Sequence, residues 1–258
     1  MTEPMVTEAD YVIEAHDLSR GFAGFMAVKG IDLKVRRGHI HALIGPNGAG
    51  KTTCFNLLTK TIDPTGGTIL YKGKDITHMA PAEVAQRGMV RSFQISAIFP
   101  TLTALDNVRV ALQRAQKTSF RFWRSDRTLD AFNSRAEGLL QDVGLADVSQ
   151  CTAGELSYGR KRALEIATTL ALDPELLLLD EPTSGMGLED VAQTAALIRR
   201  IASSRTVLMV EHNLGVVADL ADRITVLAAG AVLTEGSYAE VANDPRVQAA
   251  YIGRKAKT

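Results

Sequence analysis

Gly45-Pro46-Asn47-Gly48-Ala49-Gly50-Lys51-Thr52, with the apolar run Ile40 to Ile44 before it and a helical pattern carrying Phe55, Leu57 and Leu58 after it, decides the fold. The spacing is that of a phosphate-binding loop, glycine, four residues, then Gly-Lys-Thr, set between a buried strand and a helix. Glycines let the backbone wrap closely enough for its N–H groups to face phosphate oxygens. The loop opens onto a helix N-terminus, whose partial positive charge favours the same anion. In such a loop Lys51 reaches the β- and γ-phosphates and the Thr52 hydroxyl ligates magnesium. The bland alternative is a chance glycine turn, which at ordinary glycine usage arises in roughly one chain of this length in a hundred. The strand before and the helix after make that alternative rarer still.

A phosphate loop needs a second magnesium anchor where another buried strand emerges. Leu176-Leu177-Leu178-Leu179-Asp180 supplies it, and Glu181 follows at once. Adjacent carboxylates divide naturally into an ion-holding group and a water-orienting base; two surface acids closing a strand are the alternative. Outward from these two strands, Tyr11–Ala15, Ile31–Val35, Thr68–Tyr71, Met89–Phe93, Val207–Val210 and Ile224–Leu227 read as further strands. Helices are expected over Lys51–Thr61, over Tyr158–Leu172, and on an amphipathic face carrying Val191, Ala195, Ile198 and Ala202. Leu105–Val148, without a glycine until Gly138 and apolar at helical spacing, reads as a helical insert. Short continuous apolar strands alternating with helices point to an α/β core with a mostly parallel sheet, and the first third to an added antiparallel layer.

The composition excludes several classes. The chain has 258 residues, 46% hydrophobic and 22% charged, enough for a buried core. Lys plus Arg equals Asp plus Glu at 29 each, so no global basic field recruits nucleic acid. Cys54 and Cys151 have no metal-like or CxxC spacing and fit a reducing compartment. The acidic, polar start is unlike a signal peptide, and no apolar run approaches the ~18 residues a bilayer span needs. A cytosolic chain is expected, its membrane role borrowed from a partner.

Further along, Leu156-Ser157-Tyr158-Gly159-Arg160-Lys161-Arg162 is similar to the LSGGQ-type signature of the ATP-binding subunits of ABC transporters, placed as in that family before a helix and the Asp180 strand. Gln94 in Arg91-Ser92-Phe93-Gln94 resembles the family's Q-loop glutamine, His212 in Val210-Glu211-His212-Asn213 its switch histidine, and Phe22 the aromatic that stacks on adenine, with Phe25 as competitor. Alone, Gln94 reads as a strand-end polar residue, His212 as a structural histidine and Phe22 as core; the shared order lifts them. The resemblance covers nearly the whole chain. It implies a P-loop NTPase core with a mostly parallel sheet, an N-terminal antiparallel β layer and an inserted helical subdomain. These form one ABC ATPase domain over 1–258, with 1–94 and 152–258 as core and 95–151 as the helical subdomain. Implied ATP contacts are Phe22, Gly45, Pro46, Asn47, Gly48, Ala49, Gly50, Lys51, Thr52 and Thr53. Ser157 and Gly159 serve the opposite subunit's nucleotide, so a lone chain is expected to be a poor ATPase. Thr52, Gln94 and Asp180 would hold Mg2+, and Glu181, His212, Gln94 and Lys51 would carry catalysis.

A narrower resemblance, in Val90–Gln94, Tyr158, Ala163-Leu164-Glu165-Ile166-Ala167 and the ending Asp244-Pro245 to Ala250-Tyr251-Ile252-Gly253, is to importer ATPases for branched-chain amino acids and solutes such as urea or short amides. It implies a second ATPase chain, alike or different, two transmembrane permease subunits, a periplasmic solute-binding protein, and a peripheral place on the cytoplasmic face of the inner membrane. An exporter ATPase such as one for lipopolysaccharide extraction, or a soluble ABC ATPase outside transport, are the alternatives. Gly187 and Asn213 depart from the family's usual polar and Asp residues and put cross-dimer coupling in doubt. Arg114, Lys117, Arg121, Arg124 and Arg127, interleaved with Phe120, Phe122 and Trp123, suit a permease loop, lipid headgroups or a plain solvated face.

Overall fold

The computed structural model describes residues 10–92, 98–115 and 132–252. Its first strands, β1 (Tyr11–Phe22) and β2 (Phe25–Arg36), form an antiparallel hairpin that pairs Phe22 with Phe25 at its tip. Ala23 and Gly24 both have positive φ there, as a tight two-residue hairpin turn demands. Next come β3 (Ile40–Ile44), α1 (Lys51–Leu58), β4 (Gly66–Tyr71), β5 (Lys74–Asp75), α2 (Pro81–Gln86) and β6 (Met89–Ser92). After them lie α3 (Ala104–Ala115), α4 (Asn133–Asp142), α5 (Tyr158–Leu170), β7 (Leu176–Asp180), α6 (Leu188–Ala202) and β8 (Thr206–Val210). The chain continues through α7 (Leu214–Leu220), β9 (Arg223–Ala228), β10 (Ala231–Gly236), α8 (Tyr238–Ala242) and α9 (Pro245–Ile252).

Two sheets result. One is antiparallel, in the order β2-β1-β4-β5; the other runs β10-β9-β3-β8-β7-β6, with β9 through β6 parallel and β10 antiparallel at the edge. The alternation along the parallel strands explains their unbroken apolar sequence. Leu43, Leu176, Leu178, Leu208 and Val210 face one core, which they share with α1 and the antiparallel sheet. Ala42, Ile44, Leu177, Leu179, Val207 and Met209 face the other, which includes α3, α4, α5 and α6. A strand buried on both faces favours an apolar residue at nearly every position, and two exceptions, His41 and Thr225, bond to each other. Helix α1 lies between the sheets with Cys54, Phe55, Leu57 and Leu58 fully buried, and burial pushes the Cys54 thiol up to about 12.

The α/β core, its parallel sheet and the antiparallel layer are as the sequence suggests; several limits are not. β1 and β2 run well beyond Tyr11–Ala15 and Ile31–Val35, because register shifts and a positive φ at Asp17 carry the pairing through polar residues that break the alternation. α1 ends at Leu58 rather than Thr61, since Lys60 turns left-handed at φ 58. α5 stops at Leu170, and β10, half-buried from Ala231 to Glu235, has too little apolar contrast to be read. Within Leu105–Val148 the described parts are α3, α4 and a short 3-10 turn, whose apolar faces join the core of α5. Phe93, Gln94, the 94/95 subdomain boundary, and Lys117 through Arg127 of the basic-aromatic stretch fall outside the described residues. No helix among the described residues is long and apolar enough to cross a membrane.

Candidate functional site

In an open parallel sheet the groups that meet a ligand gather beyond the carboxyl ends of the strands. Adjacent strands β3, β8 and β7 here end in the glycine loop, in His212 and in Asp180-Glu181. The loop is anchored from two sides: Gly230 N–H donates to the Ala49 carbonyl at 3.0 Å, and Lys29 N–H to the Gly230 carbonyl at 2.8 Å. Two glycines are obligatory. Gly45 has φ 150, and a Cβ there would lie 2.2 Å from the Leu227 carbonyl oxygen; Gly50, at φ 98, would place one 2.6 Å from that of Ala27. Gly50 begins α1 without any side-chain cap, which leaves the first-turn N–H groups to other acceptors. Lys51 is buried and folds back on its own loop, its Nζ donating to the carbonyls of Gly45 at 2.7 Å and Pro46 at 3.1 Å. Thr52 is exposed and Thr53 half-buried on the first turn.

Asp180 is held by a residue that motif reading passes over. Arg91 of β6 donates to Asp180 Oδ2 at 2.5 Å and to Asn56 Oδ1 at 2.7 Å, and its guanidinium lies 5.1 Å from the Phe55 ring centre. One side chain thereby joins β6, α1 and β7. From the other side Arg162 of α5, itself buried, donates to the Asp180 backbone carbonyl at 3.3 Å and to Glu165 at 2.8 Å. Burial pushes the Glu165 carboxyl up, and the Arg162 guanidinium opposes it. The Thr52 hydroxyl and the Asp180 carboxylate are hard oxygen donors, the kind a small divalent cation takes when phosphate and water complete its shell. Among the described residues no three His, Cys, Asp or Glu side chains form a cluster suited to a metal.

Glu181 sits past the ladder's end at φ 44, a left-handed conformation rare for a side-chain-bearing residue, fixed by its N–H donating to Val210 O at 2.9 Å. His212 Nδ1 is 4.0 Å from Glu181 Oε2 and 3.5 Å from the buried Glu211. Asn213 caps α7, its Oδ1 accepting from the N–H groups of Gly215 at 3.0 Å and Val216 at 3.3 Å. Asn serves that cap as well as Asp does, so this departure from the family pattern carries no structural cost. Gly187 opens α6 without a side-chain cap.

Lys51, Thr52, Asp180, Glu181 and His212 thus share one end of the sheet. Phe22 stands at the hairpin tip, 43% exposed, with the Arg20 guanidinium 4.7 Å from its ring centre; Phe25, at 66%, is the barer of the two. Ser157 is the N-cap of α5 and accepts from Arg160 N–H at 3.5 Å, and the Tyr158 hydroxyl donates to the Ser184 carbonyl at 3.1 Å. Gly159 lies against Asp190 of α6. These bonds run to their own helix and the loop after Glu181, away from the glycine loop. Gln94 lies outside the described residues. Arg91, Arg162 and Glu211 escaped the sequence reading because their signal is burial among specific partners; a carboxylate directly after the apolar run Val207–Val210 was the one available hint.

The chain matches the ABC transporter family model over residues 28–184 and the model of the branched-chain amino acid ATP-binding cassette transporter over residues 231–257. It is 37% identical over 252 residues to the high-affinity branched-chain amino acid transport ATP-binding protein BraF of Pseudomonas aeruginosa, covering 94% of this chain and 98% of that one. It is 35% identical over 254 residues to the corresponding protein LivG of Escherichia coli, with 94% and 98% covered. Its fold superposes on the ADP conformation of an ATP-binding cassette of an ABC transporter with a TM-score of 0.83 at 26% identity, covering 94% of this chain and 99% of that one.

Proposed function

The chain belongs to the ABC transporter ATP-binding family, and on that premise we propose that it powers an importer for branched-chain amino acids or related small solutes such as urea or short amides. The observation that carries the proposal is the match of residues 231–257 to the branched-chain cassette model, together with similarity to two amino-acid transport ATP-binding proteins over nearly the whole chain. Lipopolysaccharide extraction and non-transport ATPase roles are not favoured by these relatives. One ABC ATPase domain would extend over 1–258, with residues 95–151 as its helical part.

In this reading ATP lies across the ends of β3, β8 and β7. Phe22, backed by Arg20, offers a face for adenine, and the backbone N–H groups of Gly45 to Thr53 receive the phosphates. Lys51 Nζ exchanges its bonds to the Gly45 and Pro46 carbonyls for phosphate oxygens, a swap of neutral acceptors for charged ones. Thr52, Asp180 and Gln94 would hold magnesium, which neutralises charge on the phosphates. Glu181 takes the attacking water's proton, and His212 beside it orients the γ-phosphate. Ser157 and the Gly159 N–H face a second chain's nucleotide, which agrees with their lack of bonds to their own phosphate loop. A groove of about 1040 Å³, lined in part by Val84, Arg87, Phe99, Asn107, Ala111 and Glu165 and away from the phosphate loop, suits a permease segment. With two permease subunits and a periplasmic binding protein, the chain would sit peripherally at the cytoplasmic face of the inner membrane.

Uptake of radiolabelled branched-chain amino acids in a strain lacking this chain tests the proposal. Loss of energised uptake, restored by the wild-type chain but not by Glu181→Gln, is the expected result; unchanged uptake of these amino acids, urea and amides contradicts the substrate class.

A further inference from the structure

Glu211 is a carboxylate with no solvent exposure at all, placed directly after β8. Burying a charge is costly unless hydrogen bonds compensate it. Among the described residues the His212 ring is its only ion-pair partner, so the compensation comes from elsewhere. Four donors from two loops supply it. Oε1 accepts the N–H of His212 at 2.8 Å and of Asn213 at 3.0 Å, while Oε2 accepts the Thr183 hydroxyl at 2.8 Å and the Thr183 N–H at 3.4 Å.

Those loops are the ones that matter for hydrolysis. Thr183 follows Glu181 by two residues, and His212 follows Glu211 directly. The ladder between β7 and β8 ends at the Asp180–Val210 pair and the Glu181 N–H to Val210 bond, so backbone pairing no longer fixes the chains beyond it. The Glu211 side chain takes over as the cross-link just where Glu181 and His212 project. Asn213, gripped by the same oxygen as His212, also caps α7, which ties the clamp to a helix.

We infer that Glu211 is a positioning residue for ATP hydrolysis: its buried carboxylate locks the Thr183 loop to the His212 loop and sets the placement of His212 against Glu181. The inference rests on the ATPase reading of this site. Every bond into the carboxylate comes from a donor, so an amide of the same shape replaces it imperfectly: its NH2 would face either the His212 and Asn213 N–H pair or the Thr183 N–H, with only the Thr183 hydroxyl able to turn and accept.

Steady-state ATP hydrolysis and equilibrium ATP binding by the full chain, assembled with its second ATPase chain, provide the test, on Glu211→Gln, Thr183→Val, Thr183→Ser and the Glu211→Gln/Thr183→Val double variant. Glu211→Gln is expected to lower kcat by at least about tenfold with ATP affinity held within about threefold. Thr183→Val should lower kcat several-fold, Thr183→Ser should recover it to within about twofold, and the double variant should be no worse than Glu211→Gln, since both remove one clamp. A folded Glu211→Gln chain with kcat within about twofold of wild type, a parallel loss of kcat and affinity, or Thr183→Ser as slow as Thr183→Val overturns the inference. Should Glu211→Gln not fold, the Thr183 pair decides alone: loss with Val and recovery with Ser sustains the clamp, and no loss with Val refutes it. A wild-type chain that, assembled with its second ATPase chain, hydrolyses no ATP would overturn the ATPase reading and the inference together, whereas equal turnover in assemblies of wild type and variants removes only the inference.

Discussion

At the scale of single residues, the site is a set of charges each held by a neighbour. Lys51 is parked on two loop carbonyls, Asp180 on Arg91, and Glu181 is fixed at positive φ by the Val210 carbonyl. Parking has a chemical use: a buried ammonium or carboxylate without a partner is far costlier than one whose partner is exchanged for a ligand. In the proposed mechanism Glu181 takes the proton from water. Glu181→Gln keeps its size while removing the base, so turnover should fall by about 10²- to 10⁴-fold with ATP still bound. Single-turnover hydrolysis alongside equilibrium binding checks this, and unchanged turnover would move the base elsewhere. The carboxylate pair and the loop lysine were legible because their spacing is dictated by backbone geometry. Arg91 and Glu211 were not, because a lone Arg or Glu in a sequence says nothing about which carboxylate or amide it will meet.

At the scale of elements, the continuous apolar runs of β3, β7 and β8 announced strands buried on both faces, and the order loop-helix after β3 announced α1. What escaped was the polar half of the β1–β2 hairpin and the edge strand β10, where partial burial weakens the alternation that marks a strand. One buried polar residue links β3 to that edge. His41 Nε2 lies 2.8 Å from Thr225 Oγ1, and because Thr225 donates its one hydroxyl proton to Glu235 at 2.7 Å, Nε2 is the donor of that pair. Burial lowers the His41 pKa from the ordinary 6.5 to about 4, with Glu235 opposing and Arg223 and His39 adding to the fall. A folded pKa below the unfolded one means the unfolded chain takes up the proton first as the solution is acidified. Stability from this group is therefore whole above pH 6.5 and drains away as pH falls toward 4. The loss should reach about 3 kcal/mol. Denaturant unfolding across that range, compared with His41→Gln, checks it: the variant's curve should be the flatter, and parallel curves would exclude His41 as the titrating group.

At the scale of the molecule, two sheets with α1 between them frame the phosphate loop, and α5, packed in the second core against the parallel sheet, carries Ser157 and Gly159 at its start. A balanced charge, with 29 basic and 29 acidic residues, gives no global field for nucleic acid, in keeping with partners met through shaped surfaces. The proposed sandwich of two chains would place the start of α5, capped by Ser157, against another chain's phosphates. All of this presupposes that Lys51, Thr52, Asp180 and Glu181 together grip ATP with magnesium. Equilibrium binding of ATP, with magnesium present, to the purified chain and to its Lys51→Ala variant measures that grip. The affinity should fall by at least about tenfold, the worth of a charge-assisted contact; an unchanged affinity would contradict the account.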